Sequence, residues 1–382
     1  MVFCRCRWNR NRDVPILMTL AIFAGVFGAL YREAVPRLWA VALGAGAIVV
    51  YGTGAGFYSL AGAVDAIYFE TLALIFGMSM VSNLLYRGGL SARLAQWMTG
   101  ATPGNTHWIL VLSVLATYGI SLAINNLAAI IIVLPVTLRA CQRAGITPVP
   151  LAVAEIIASN LGGASTMIGD FPNMIIASAG GLGFWDFIGG MMAPCLVLLA
   201  ATLVYFHRRW PECAVPMPEF RTREPDRRDA RDDRVAAVGA WLLVMALAGF
   251  FLADAVHLRP GWVALVVGVA ALGTGAFKNA NMAEAVGLND ILFFTALFVM
   301  VGGLVAAGFG ENLLGIIESL AGGSVVGRLT ALMGLAAVVT IFLNAGPATA
   351  LLAPVGGGAL PGEDPIVWWA LPLACWPVRR RR

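Results

Sequence analysis

Charge is what this chain has least of. Asp, Glu, Lys and Arg together make 12% of its 382 residues, about half of the quarter expected in a soluble domain, which excludes a water-soluble globular fold. Lysine is almost missing: Lys278 stands alone beside 24 arginines. The formal charge is +4, too small to suggest a nucleic-acid partner. Arg379 to Arg382 equal all of it, because the remaining 21 basic and 21 acidic residues cancel. The low hydrophobicity that marks disorder is absent too. Six cysteines (Cys4, Cys6, Cys141, Cys195, Cys213, Cys375) offer one C-x-C and no second pair to complete a zinc site. They read as free thiols, and no metal is expected beyond a Na⁺ site.

What the chain does have is hydrophobicity. Apolar residues make 59% of it and 44 residues are glycine, with a mean hydropathy of +0.82. Apolar runs long enough to cross a bilayer core of about 30 Å recur from end to end. The fold class expected is an all-α polytopic membrane protein, and the length leaves room for about ten to twelve crossings. Spans are expected at 15–31, 36–54, 67–86, 107–124, 187–206, 235–254, 260–277, 289–307 and 326–343. The first follows Arg5, Arg7, Arg10 and Arg12, and its length reads as a retained helix rather than a signal peptide.

One hydrophilic segment, 207–234, divides the chain. It carries eight arginines, seven acidic residues and Pro211, Pro216, Pro218 and Pro225, which prevent a long helix. Arginine enrichment places this loop and the N-terminus on the cytoplasmic side of a cell (inner or plasma) membrane. The organisation expected is a first repeat with N-terminal helices at 1–206, a charged linker at 207–234 and a second repeat at 235–382. A shift of 219 residues aligns landmarks of the two halves: Thr71 to Leu90 falls on the segment ending at Gly308-Phe309, Asn125 on Asn344, and Pro135-Val136 on Pro354-Val355. Paired halves are the architecture of many secondary transporters, with the site near mid-membrane.

Two places in the first half break the apolar pattern. After a span from His107 to Ile124 come Asn125 and Asn126 and about a dozen apolar residues to Leu138, a helix of about 18 Å, too short to cross. That composition predicts a re-entrant hairpin with the asparagines near its tip; the alternative is a kinked helix with ordinary asparagine packing. The 344–358 segment, with Asn344, Pro347 and Thr349, is built alike. Next, a half-length helix from Val149 to Ala158 runs into Ser159-Asn-Leu-Gly-Gly-Ala-Ser-Thr-Met-Ile-Gly-Asp-Phe-Pro-Asn173, followed by a short apolar piece, 174–179. Gly162, Gly163, Gly169 and Pro172 predict a broken helix, tolerable in lipid only where it lines a polar cavity. Ser159, Asn160, Ser165 and Thr166 offer oxygens for a cation such as Na⁺, and the N-terminus of the next half-helix can face an anion. Asp170 is the one acidic residue in the break, suited to carrying a proton, ligating a cation or capping that half-helix. Glu155, one turn before Ser159, is the second coupling candidate.

The Ser159–Asn173 run resembles the A/S-N-x-G-G-x-x-T-x-I-G-D-x-P-N signature of the ion transporter superfamily, in its arsenite-efflux/sodium–proton antiporter branch, which includes citrate-transporter-like permeases. The segments 72–90 and 125–135 also fit, so the likeness covers nearly the whole chain. It implies two structural repeats, inverted in the membrane, each with a re-entrant hairpin and a discontinuous helix, and substrate and cation held between them. By that likeness the substrate- or ion-binding residues are Asn125, Asn126, Ser159, Asn160, Gly162, Gly163, Ser165, Thr166, Asp170 and Asn173, with Asn344 and Thr349 in the second repeat. Two positions depart from the pattern: relatives often place aspartate near Asn125, and Phe171 replaces a common proline. Inversion also conflicts with an even number of spans between equivalent helices, so 36–54 or 260–277 is expected to fall short of crossing.

The second broken helix should begin near position 378, where the chain instead ends on Pro377-Val378 and four arginines, so the second repeat reads as truncated. The function implied is an ion-coupled secondary transporter of a small anion or metalloid oxyanion, citrate/dicarboxylate or arsenite-like, and not an enzyme. A sodium–proton antiporter and an inactive remnant are the alternatives. An intramembrane aspartyl hydrolase on Asp170 lacks a good second carboxylate, Glu155 and Asp254 being poorly placed. The cofactor expected is none beyond a coupling Na⁺ or H⁺. The partners are the lipid bilayer and the small ion, with a homodimer left open.

Overall fold

The computed structural model describes residues 10–33, 35–89, 93, 106–210, 230–256, 258–277, 282–321 and 324–356. Cys4, Cys6, Cys213, Cys375, Lys278, most of the 207–234 loop and the Arg379–Arg382 tail lie outside them. So does the stretch where a second broken helix was expected.

Every element described is helical. The helices are α1 (Arg10–Tyr31), α2 (Arg37–Ala55), α3 (Leu60–Asp65), α4 (Phe69–Arg87), α5 (Thr106–Ser121), α6 (Asn126–Ala144), α7 (Val149–Ser165) and α8 (Phe171–Gly180). They continue as α9 (Phe184–Arg209), α10 (Ala230–Ala255), α11 (Pro260–Gly273), α12 (Met282–Ala285), α13 (Leu288–Ala306), α14 (Phe309–Ala321), α15 (Val325–Leu343) and α16 (Ala345–Gly356). Seven of them, α1, α2, α4, α9, α10, α13 and α15, are long and apolar enough to cross a membrane. The protein is a multi-pass α-helical membrane protein.

Two expected spans are shorter than the sequence suggests. The 107–124 run yields α5, 16 residues long, and the 260–277 run yields α11, 14 residues long, or about 24 and 21 Å of rise. Of the two segments singled out as falling short, 260–277 is therefore the short one, while α2 keeps 19 residues. The helix bounds themselves recur at a spacing of 219 residues: α4 and α13 match at both ends, α5 and α15 start in register, and so do α6 and α16.

The chain forms two compact units, one from 1–72 with 289–379 and one from 73–288. In the first, the Tyr58 hydroxyl donates to the Val299 carbonyl at 2.9 Å, and Tyr68 meets Phe298 edge-on at 5.2 Å. In the second, α7 packs on α5, α6 and α9, around Leu110, Val114, Leu151, Ala154, Ala158 and Leu199. Phe184 stacks on Phe250 at 5.8 Å, which ties α9 to α10. Cys141 and Cys195 are buried in this unit.

Candidate functional site

The α5–α6 junction comes first. The chain leaves α5 at Ser121, turns through 122–125 and re-enters helix with Asn125 as N-cap, its Oδ1 accepting from Leu127 N at 2.9 Å. A side-chain oxygen at this position satisfies an amide that the helix itself leaves unpaired. The second arm does not stop where the apolar run stops: α6 has 19 residues and ends at Gly145, whose φ of 66° forms a left-handed cap. The helix passes Pro135 and Arg139 and terminates at the glycine because left-handed backbone strains any residue with a Cβ. The expectation of a twelve-residue arm was therefore too short.

The break in the next helix also lies later than the sequence suggests. Val149–Ser165 is one continuous helix through Ser159, Asn160, Gly162 and Gly163. Only at Thr166, with φ −130° and ψ 156°, does the backbone extend, and α8 begins at Phe171. The two glycines serve close packing: a Cβ on Gly162 would strike the backbone at Tyr118, and one on Gly163 would strike the Asn126 amide. In lipid the intact helical hydrogen bonds outweigh the modest helix cost of glycine, about 1 kcal/mol per residue. Ser159 and Asn160 accordingly sit inside a helix, not on an unwound loop.

Asparagines tie the extended loop down. Asn173 Nδ2 donates to the carbonyls of Gly163 at 2.8 Å and Thr166 at 2.9 Å. Its own Oδ1 is buried without a partner. Asp170 caps α8, Oδ1 accepting from Phe171 N at 2.8 Å, while Oδ2 accepts from Asn126 Nδ2 at 2.8 Å. That carboxylate already complements the α8 N-terminus, so an anion there would meet like charge. The Ser121 hydroxyl lies 2.6 Å from the Ser159 carbonyl and 2.7 Å from Asn126 Oδ1. Thr166 Oγ1 donates to the Leu122 carbonyl at 2.5 Å and accepts from Gly169 N at 3.2 Å. Ser165 meets the Tyr118 hydroxyl at 2.8 Å.

The expected residues of the first half thus gather at one place: the start of α6, the end of α7, the extended loop and the start of α8. Asn125, Asn126, Ser159, Gly162, Gly163, Ser165, Thr166, Asp170 and Asn173 are all parts of it, and Asn160 is half-buried beside Ser159. Glu155 stands more than a turn back on α7, fully buried, bonded to Thr137 of α6. Asn344 and Thr349 belong to the other compact unit. There Asn344 closes α15 and its Oδ1 accepts from Ala345 N at 2.8 Å, while Thr349 is buried with an unpartnered hydroxyl. Four hydrogen-bonding side chains escaped the sequence reading: Ser113, Tyr118, Ser121 and Thr137. The signal for the serines was present, since Ser113, Thr117 and Ser121 recur every fourth residue on one face of an apolar helix. No group of metal-ligating His, Cys, Asp or Glu occurs among the described residues.

Helices interrupted inside an apolar bundle, with their loose ends held by amides and hydroxyls, are the hallmark of membrane transporters. The comparisons with known proteins agree. The chain belongs to the citrate transporter family, whose sequence profile matches residues 18–374. It is 48% identical over 362 residues to the magnetosome protein MamN of Paramagnetospirillum magneticum, an alignment covering 94% of this chain and 83% of that protein. It is 31% identical over 380 residues to an uncharacterized transporter of Mycobacterium tuberculosis, covering 94% and 85%. The P protein of Homo sapiens matches over 211 residues at 32% identity, 52% of this chain and 25% of that protein.

Proposed function

We propose that the chain is an ion-coupled secondary transporter of a small anion, citrate or a dicarboxylate first and an arsenite-like oxyanion second, working by alternating access in a cell membrane. The observation that carries this reading is the Asn126–Asp170 hydrogen bond. It draws the N-termini of α6 and α8 to one point beside the C-terminus of α7, so amide and carbonyl ends of three helices converge. Such ends supply opposite partial charges: the α7 carbonyl end suits a cation, and the α6 N-terminus suits the anion, because Asp170 already occupies that of α8. The family's description as citrate transporters supports the substrate class. The recurrence of helix bounds at 219 residues supports a second, related half. Arginine enrichment supports cytoplasmic placement of the N-terminus and the 207–234 loop.

Asp170 favours a second reading, sodium–proton exchange, because its carboxylate and the unpartnered Asn173 Oδ1 are cation ligands in kind. One experiment separates the two. The purified full chain is reconstituted in liposomes, and uptake of radiolabelled citrate with and without Mg²⁺, succinate, arsenite and ²²Na⁺ is followed under imposed pH or Na⁺ gradients. The first reading expects saturable, gradient-driven anion uptake that Asn160→Ala abolishes. Gradient-driven ²²Na⁺ flux without anion uptake would select the exchanger. No flux of any of the four would overturn both readings.

A further inference from the structure

Glu155 is fully buried on α7 and uses only half of its carboxyl group. Oε1 accepts from the Thr137 hydroxyl of α6, and Oε2 is buried with no hydrogen-bond partner. The Ser113 side chain of α5 stands beside the carboxyl. It donates its own proton to the Leu110 carbonyl at 3.2 Å. The surroundings are apolar: Leu110, Val114, Leu151, Ala154 and Ala158 on one side, with Val133 and Val136 next to Thr137 on α6.

No described cation neutralises this carboxyl. On α5, Tyr118 is bonded to Ser165 near the far end of α7, and on α9, Cys195 meets the same serine. On α6, Cys141 lies in the apolar cluster. Arg139 of α6 and Asp186, His207, Arg208 and Arg209 of α9 are exposed. An ionised carboxylate buried without a counter-charge is strongly unfavourable, so the group must take up either a proton or a metal cation. A hard cation in protein takes about six oxygen ligands. Here Oε1 is held by Thr137, and Thr117 donates to the Ser113 carbonyl at 2.7 Å. A proton needs one free oxygen, and Oε2 is that oxygen.

We propose that Glu155, positioned by Thr137 and Ser113, is the proton-binding site of the transport cycle, separate from the loop at 166–170. The carboxylate takes up H⁺ at Oε2 on one side of the cycle and releases it on the other. Asp170 does not share the task, because both of its oxygens are engaged in holding α8 and α6 together. Ser113, Thr117 and Ser121 are all fully buried. They form a column of hydroxyls, one turn apart on α5, that runs from the carboxyl to the loop. This assignment rests on the transport reading above, and its test is built to fail separately.

The full chain in liposomes is examined by infrared difference spectroscopy between acidic and alkaline buffer. The expected result is a protonated-carboxyl stretch that appears on acidification, shifts in D₂O, is absent in Glu155→Gln and moves in Thr137→Val. Citrate transport is measured in parallel, as pH-driven accumulation and as counterflow. Glu155→Gln is expected to lose pH-driven accumulation about tenfold or more relative to its own counterflow. If Glu155→Gln fails to fold, the band shift in Thr137→Val decides. A titrating Glu155 band in a protein that moves no citrate supports the proton site and overturns the citrate reading alone. A band that survives Glu155→Gln, or an accumulation-to-counterflow ratio left intact by it, overturns the proposal. So does ²²Na⁺ binding that depends on Glu155 without any titrating band.

Discussion

Asn126 and Asp170, 44 residues apart, are joined by a single hydrogen bond of 2.8 Å that fastens the start of one helix to the start of another. The carboxylate accepts from a side-chain amide on one oxygen and from the Phe171 amide on the other. Cutting the bond should loosen the loop between α7 and α8 without unravelling either helix. Asn126→Ala is expected to cost about 1–3 kcal/mol, the range for a buried acceptor left unpaired. It should lower Tm in thermal unfolding of the purified protein and reduce flux sharply. An unchanged Tm with normal flux would mean that the bond positions nothing.

Gly163 sits where a Cβ would collide with the Asn126 amide. Gly163→Ala should therefore destabilise by about 1–3 kcal/mol, as overpacking does. In the double variant Gly163→Ala/Asn126→Ala the collision partner is gone, so the two losses should fall short of their sum. Strict additivity in the thermal-unfolding cycle would refute the contact.

Asn173 holds two carbonyls with one amide group, at 2.8 and 2.9 Å. Asn173→Asp replaces that donor with oxygen and turns both contacts repulsive. The expected loss exceeds that of Asn173→Ala, in Tm and in flux, because the charged form leaves like partial charges facing each other in a buried place. Equal losses would argue that only the side-chain volume matters.

Asn344 has φ 73° and ψ 163°, a conformation of the kind that costs a non-glycine residue about 1–3 kcal/mol. Asn344→Gly removes the strain and gives up only a local bond to Ala345. It should raise Tm by a few degrees while lowering flux, since the side chain at the head of α16 is lost. A stabilised variant with full flux would leave Asn344 without a part in transport.

Tyr118→Phe deletes the hydroxyl that meets Ser165, whose own proton still reaches the Leu161 carbonyl at 2.7 Å. The expected cost is about 1 kcal/mol, the net worth of one hydrogen bond. Proteoliposome flux should stay within about twofold of the parent, a change worth well under 1 kcal/mol. A tenfold drop would move Tyr118 from support into the transport machinery.

Much of the fold was legible in advance because lipid leaves the backbone one choice. An apolar run must be helical wherever it meets hydrocarbon, so the bounds of α1, α2, α9, α13 and α15 fall within a few residues of the hydrophobic runs. Where the expectation failed, composition and helix parted company. α6 continues past Leu138 through polar residues until the left-handed backbone at Gly145 stops it. α7 runs through Gly162 and Gly163 because those glycines admit α5 and the Asn126 amide. Gly162 and Gly163 mark a close approach of neighbouring segments, and the backbone opens only three residues later, at Thr166.

The scarcity of charge and the long apolar runs by themselves determined a helical membrane protein, and the Ser159–Asn173 run contains the one extended loop between α7 and α8. Spacing alone could not say which polar atoms would meet. Only packing placed Thr137 against Glu155 and left Oε2 unpartnered, and only packing turned both Asp170 oxygens to the ends of α6 and α8. In the sequence both carboxyls stand as coupling candidates, Asp170 in the break and Glu155 on the helix before it. They differ because hydrogen bonds form across helices, and which faces meet is fixed by side-chain packing between segments that the sequence orders without bringing together.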